Sequence, residues 1–245
     1  MTFVKSLFHR LGLYDQASRA WMWLQPKVER TRRLATFKDR RVAQLYLKQN
    51  GPKKLHIGCG PHNLPGWLNA DLYPTGNQIR LDATRRFPFD EDVFDYIYSE
   101  HMIEHVPWTD GVRMLRECFR VLKPGGVIRI ATPDLKFVTR LLRGELSPLE
   151  QEYIRQSRDR WTPWAQDATA AYAINNFMRA WGHQFIFDEP TLNRSLALAG
   201  FDAVTNPLLQ ESRHAALSNL AASERMPNGF LALETLVAEG LKPGL

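Results

Sequence analysis

Cysteine is nearly absent from this 245-residue chain, which has only Cys59 and Cys118. One lies in a glycine loop and the other in a segment of helical periodicity, so no disulfide framework organises the fold, and a reducing, cytoplasmic setting is expected. No run of about 18 uncharged apolar residues occurs, which excludes a spanning helix. The N-terminus also lacks the unbroken apolar core and cleavage site of a secretion signal. Internal repeats and low-complexity tracts are missing as well. With 44% hydrophobic residues, the length suits one large domain with appendages rather than two independent domains.

Charge of one sign is scarce in one place only. Residues 1–50 hold eleven Lys and Arg against three Asp and Glu, whereas the rest of the chain is slightly acidic, so the overall +6 belongs to an N-terminal arm. Within it Phe3, Val4, Leu7, Phe8 and Leu11 fall on one helical face, with Lys5, Ser6, His9 and Arg10 elsewhere. This pattern suits a helical cap packed on the core, with peripheral docking on an anionic inner membrane face as the alternative. No nucleic-acid partner is expected, because the arm carries no recognition motif and the remainder is not basic.

Residues 36–49 read as a helix with Phe37, Val42, Leu45 and Tyr46 available for packing, stopped by Asn50-Gly51-Pro52. The main domain, 51–245, follows. Its predicted strands are 54–57, 67–72, 79–82, 94–98, 127–131 and 202–205, and 229–238 supplies a last, antiparallel one. Thr109 or Asp110 is the expected cap of a helix with Val112, Leu115, Phe119 and Leu122 inward, broken by Lys123-Pro124-Gly125-Gly126. Asp188-Glu189-Pro190 opens another helix, closed by Gly200. Residues 134–181 are helical without a strand and rich in Trp161, Trp164, Tyr172, Phe177 and Trp181, as an inserted lid or substrate wall would be. Strands alternating with helices indicate an α/β fold with a mainly parallel sheet covered on both faces.

The chemistry-bearing segment is Leu55-His56-Ile57-Gly58-Cys59-Gly60, with Asp71 eleven residues after the last glycine. Glycines at a strand end let the backbone turn sharply and approach a ligand, and a carboxylate at the next strand end can grip ribose hydroxyls. The ordered set LHIGCG, Asp71, Asp82-Ala83, FDYIYSEHMIEHV and RVLKPGGVIRIATP, over roughly 53–135, resembles the class I S-adenosylmethionine-dependent methyltransferases. The later NNFMRAWGHQFIFDEPTL and LALAGF segments resemble a branch associated with surface-glycan biosynthesis. The resemblance implies a Rossmann-like sheet of about seven strands and S-adenosylmethionine as cofactor. It assigns Gly58, Cys59 and Gly60 to the methionine portion, Asp71 and Leu72 to the ribose, and Asp82 and Ala83 to the adenine. Glu100 and His101 fall at the crevice, with Ser99 a weaker neighbour. The bland alternative for Asp71 and Asp82 is an ordinary turn or cap residue.

The implied reaction is methyl transfer to a hydroxyl of a small molecule, sugar or glycoconjugate, for which His105 and His183 are the candidate general bases, with Glu104 orienting His105. Three other readings share some of these residues. His101-Met102-Ile103-Glu104-His105 is a literal H-x-x-E-H, but it follows a strand and soon meets Pro107, so no metal is assigned to it. A nicotinamide oxidoreductase requires a third glycine where Asn63 stands and a full helix after the loop, for which the residues between Gly60 and Trp67 are too few. A non-catalytic nucleoside-binding scaffold keeps the fold without the chemistry. Oligomeric state is not legible.

Overall fold

A computed structural model describes residues 37–222, 226–227 and 229–244. The apolar stripe expected at Phe3 to Leu11 lies outside them. The first described element, α1 (Lys38–Leu47), packs Val42 and Tyr46 on the core, but Phe37 and Leu45 are exposed, contrary to expectation. Phe37 precedes the helix in a left-handed conformation, and Leu45 lies off the single stripe that so short a helix can turn toward the core.

Seven strands form one sheet in the order β3-β2-β1-β4-β5-β7-β6. They are β1 (Lys54–Ile57), β2 (Leu68–Asp71), β3 (Ile79–Arg80), β4 (Phe94–Glu100), β5 (Leu122–Pro133), β6 (Asp202–Thr205) and β7 (Thr235–Leu241). All pairs are parallel except those made by β7, which runs against both β5 and β6. The predicted Rossmann-like, mainly parallel α/β architecture is therefore the observed one.

One face of the sheet is covered by α2 (Trp108–Val121) and α6 (Glu189–Ala199). Met114, Leu115 and Cys118 of α2 and Leu192 and Leu196 of α6 join Leu55, Ile57, Ile97, Ile128 and Ile130 in the main core. Each such side chain contributes about 1.5–3 kcal/mol by leaving water. Helix α2 begins at Trp108, after Pro107, so Thr109 and Asp110 are in its first turn rather than capping it. There the Asp110 carboxylate favours the helix dipole and meets Arg113 at 2.5 Å. The KPGG segment lies inside β5 as an irregularity: Gly125 has φ +79°, and a Cβ on Gly126 would sit 2.8 Å from the Lys123 carbonyl oxygen. Asp188 caps α6 by accepting from the Thr191 N–H, and Gly200 ends it at φ 108°.

Residues 134–181 carry three helices joined by loops, α3 (Leu135–Arg140), α4 (Pro148–Trp161) and α5 (Ala170–Arg179), followed by a 3-10 turn at Ala180–Gly182. Ser147 and Glu150 form a reciprocal capping box at the start of α4. These helices own a separate core of Phe137, Tyr153, Ile154, Ala173 and Phe177, joined by Phe230 from α7 (Phe230–Glu234). Residues 230–234 are thus helical where a strand was predicted, and β7 starts only at Thr235. An unbroken apolar run has no period to separate the two, and packing against Tyr153 decides for the helix. No described helix is long and apolar enough to cross a membrane.

Candidate active site

The carboxyl ends of β1, β2, β3 and β4 hold the expected cofactor residues. Gly58 and Gly60 adopt φ +67° and +51°, which glycine reaches at little cost. A Cβ on Gly58 would lie 2.3 Å from Met102 Cγ, so the loop and the segment after β4 approach each other closely there. Asp71 is bound into the loop: one carboxylate oxygen accepts from the Gly60 N–H at 2.9 Å and the other from the Tyr73 N–H at 2.8 Å. Cys59 is buried, its thiol pushed up to about 12 by desolvation and by the nearby Asp71 charge, and so stays protonated.

No helix links β1 to β2. Side-chain amides brace the loop instead, with Gln78 donating to the Gly60 carbonyl at 2.7 Å and to Asn63 Oδ1 at 2.9 Å. Asn69 accepts from the Leu64 N–H at 2.9 Å and donates to the Leu64 and Trp67 carbonyls. These amides were missed in the sequence, where a lone Gln or Asn carries no signal. Asp82 caps its own turn, accepting from the Thr84 N–H at 3.0 Å and hydroxyl at 2.7 Å, and sits beside a surface opening lined also by Arg80, Arg85 and Arg86. Leu72 is exposed and Ala83 packs at the core edge. Glu100, at the end of β4, is buried, with Oε2 at 3.4 Å from the Ala222 N–H. Ser99 beside it is fully buried.

The remaining predicted residues surround a second space, a cavity of about 260 Å³ walled by Tyr153, Trp161, Phe177 and Trp181 and floored by His101, Glu104, His105, His183 and Glu234. His105 and His183, 78 positions apart, are brought together with ring centroids 5.1 Å apart. The loop carrying His183 is clamped to the loop carrying His105. The Gln184 and Phe185 N–H groups donate to the Glu104 carbonyl at 2.7 and 3.2 Å, and the Gln184 side chain donates to the His105 carbonyl at 2.8 Å. Trp181 (φ 58°) and Gly182 (φ +79°) make the left-handed turn that this approach demands.

His183 donates from Nδ1 to the Phe177 carbonyl at 2.6 Å, which leaves Nε2 as its acceptor nitrogen. Burial lowers its pKa, so the ring is neutral near pH 7. Glu104 is fully buried, accepts from the Thr132 hydroxyl through Oε2 at 3.0 Å, and faces His101 Nδ1 at 3.5 Å and His105 Nε2 at 3.8 Å through Oε1. Burial opposes charge on both His101 and Glu104. Their mutual attraction outweighs it, so the imidazole is held above its ordinary pKa and the carboxyl below. His101 adopts φ 47° and places Nε2 at 3.0 Å from the Thr235 hydroxyl. H-x-x-E-H is thus not a helical face. Only Ile103–His105 forms a 3-10 turn, and both histidines face Glu104 from opposite ends of the segment, with His101 alone also meeting Thr235. Tyr153 donates to Glu234 at 2.5 Å, a pair the sequence did not single out.

Residues 55–130 match the family described as a methyltransferase domain. The matched stretch spans β1 to β5, so the glycine loop, Asp71, Asp82 and the segment after β4 fall within it, while the aromatic wall lies outside. Among curated relatives, a demethylmenaquinone methyltransferase of Staphylococcus saprophyticus is 24% identical over 188 residues, 64% of this chain and 76% of that protein. Among solved structures, an S-adenosylmethionine-dependent methyltransferase of Archaeoglobus fulgidus aligns at TM-score 0.48 and 15% identity, over 85% of this chain and 94% of the other. One from Mesorhizobium loti aligns at 0.47 and 16%, over 83% and 97%.

Proposed function

We propose that the chain transfers a methyl group from S-adenosylmethionine to a hydroxyl of a sugar or similar small acceptor held in the aromatic-walled cavity. The observation that carries this reading is the placement of the segment after β4. Met102 packs against Gly58 at the glycine loop, while His101, Glu104 and His105, within three residues of it, line the cavity. The two spaces thus share one wall, as a donor and an acceptor of a transferred group must.

Amides of the glycine loop meet the methionine carboxylate, the Asp71 carboxylate meets the ribose hydroxyls, and Asp82 with the Ala83 amide meets adenine. Glu100 and His101 stand at the crevice beside them. In the transfer the sulfur–methyl bond breaks as an oxygen–methyl bond forms, the sulfonium becomes a thioether, and the hydroxyl proton leaves. The imidazole pair is where that proton is handled. The small cavity and its flat rings suit a single sugar ring, stacked on a Trp face.

Calorimetric titration with S-adenosylmethionine and S-adenosylhomocysteine, followed by transfer assays against nucleotide sugars, lipid-linked glycans and a quinol, tests the reading. Binding of both nucleosides and turnover on a sugar are expected. A folded protein that binds neither overturns the enzyme. Turnover on the quinol alone overturns the acceptor class, and binding without turnover on any acceptor favours a scaffold.

A further inference from the structure

The two imidazoles and the carboxylate at the cavity floor are arranged as more than a proton relay. One donor atom from each of Glu104, His105 and His183 lies within 4.8 Å of the others. A two-histidine, one-carboxylate set is a donor combination for Zn²⁺ and similar divalent cations that leaves coordination positions open for water or substrate. Around zinc the protein donors sit at about 2.0–2.2 Å, so closing on an ion requires side-chain movements of only about 1 Å.

The groups behind these donors are also in place. A metal-binding histidine is normally oriented by a hydrogen bond from its other ring nitrogen, and His183 donates Nδ1–H to the Phe177 carbonyl at 2.6 Å, aiming Nε2 away from it. A ligating carboxylate is normally held by its second oxygen, and Glu104 Oε2 accepts from the Thr132 hydroxyl, leaving Oε1 toward the imidazoles. Three hydrogen bonds from Gln184 and Phe185 hold the two loops in register. A Cβ on Gly182 would stand 3.9 Å from His105 Nδ1, so the loops meet at close range.

We infer that Glu104, His105 and His183 bind a divalent cation, with the acceptor hydroxyl as an open-position ligand. The role, though not the existence, of this site rests on the proposed methyl transfer. A cation-bound hydroxyl is more acidic than a free one, so with the ion held the imidazoles serve as its ligands in place of their role as base, and the hydroxyl loses its proton to solvent as the oxygen takes the methyl group. The site differs from the H-x-x-E-H reading, because it omits His101 and uses a histidine from beyond the helical insertion.

The test uses the full chain, stripped with EDTA and titrated with Zn²⁺ and Co²⁺ by calorimetry, with Co²⁺ also followed by visible absorption. One saturable site with the intense bands of four- or five-coordinate cobalt is expected. His105→Asn and His183→Asn should each weaken it more than the roughly 10–100-fold that loss of a supporting bond costs, and Thr132→Val should fall within that range. S-adenosylhomocysteine affinity should be unchanged in all three variants, showing that they fold. No saturable site in the intact protein, or affinity indifferent to both histidine variants, overturns the inference. A cation site in a protein that binds no S-adenosylhomocysteine keeps the site and overturns the methyl transfer; the reverse result does the opposite.

Discussion

The glycine-loop crevice and the aromatic cavity lie on either side of one short segment, yet they are built differently. The crevice is made of backbone turns and residues close in sequence: Gly60 and Asp71, eleven positions apart, share a 2.9 Å hydrogen bond. The cavity is made of side chains from distant segments, with His105 against His183 and Tyr153 against Glu234. The crevice draws on the main core under the sheet, whereas the cavity wall stands on its own core around Phe137, Tyr153 and Phe177. On the proposed reading a cofactor site can therefore stay fixed while the wall facing the acceptor varies, since distant side chains in separate cores act nearly independently.

The sharpest way to separate the two regions is His183→Ala, expected to lower turnover about 10²–10⁴-fold with S-adenosylhomocysteine affinity unchanged. Equal loss of both would merge the regions. Gly58→Ala tests the shared wall: the new Cβ meets Met102 in a backbone conformation unfavourable to alanine, and a loss of about 2–4 kcal/mol in denaturant unfolding, together with lost cofactor binding, is expected.

The sheet beneath the crevice has its own pH signature. His56 is buried against Tyr98, and burial lowers its pKa from 6.5 to about 4. The unfolded chain therefore binds the extra proton between those values, and stability falls as pH drops from 6.5 toward 4, by at most about 3 kcal/mol. Melting curves across that range should show the fall, and His56→Phe should flatten it.

Asp71→Ala removes the carboxylate from both the Gly60 amide and the proposed ribose contact, and a loss of roughly 10–100-fold in S-adenosylhomocysteine affinity is expected by calorimetry. The smallest effect belongs to the rim. Trp181→Ala, which deletes a half-exposed ring packed against Trp161 and His183, should raise the acceptor KM by about 2–10-fold and leave cofactor affinity alone.

Legibility followed the same division. Strand β1 is legible to the residue, and α6 from its Asp188 cap and Gly200 stop, because local geometry demands those residue types. The loop bracing by Gln78 and Asn69 was not legible, since an amide that replaces a linking helix looks like any surface amide. The run at 229–238 reads as one strand because continuous apolarity serves a buried strand and a buried helix alike.

The sequence by itself determined the alternation of strands and helices, the glycine turn and the carboxylates at the ends of β2 and β3, since these depend on propensities and spacings within a few residues. Only the tertiary structure decided that Glu104, His105 and His183 meet, that Tyr153 reaches Glu234, and that Met102 joins the two spaces. Those contacts bridge long stretches of chain, and their geometry comes from how the sheet and the two cores pack together, which no local pattern encodes.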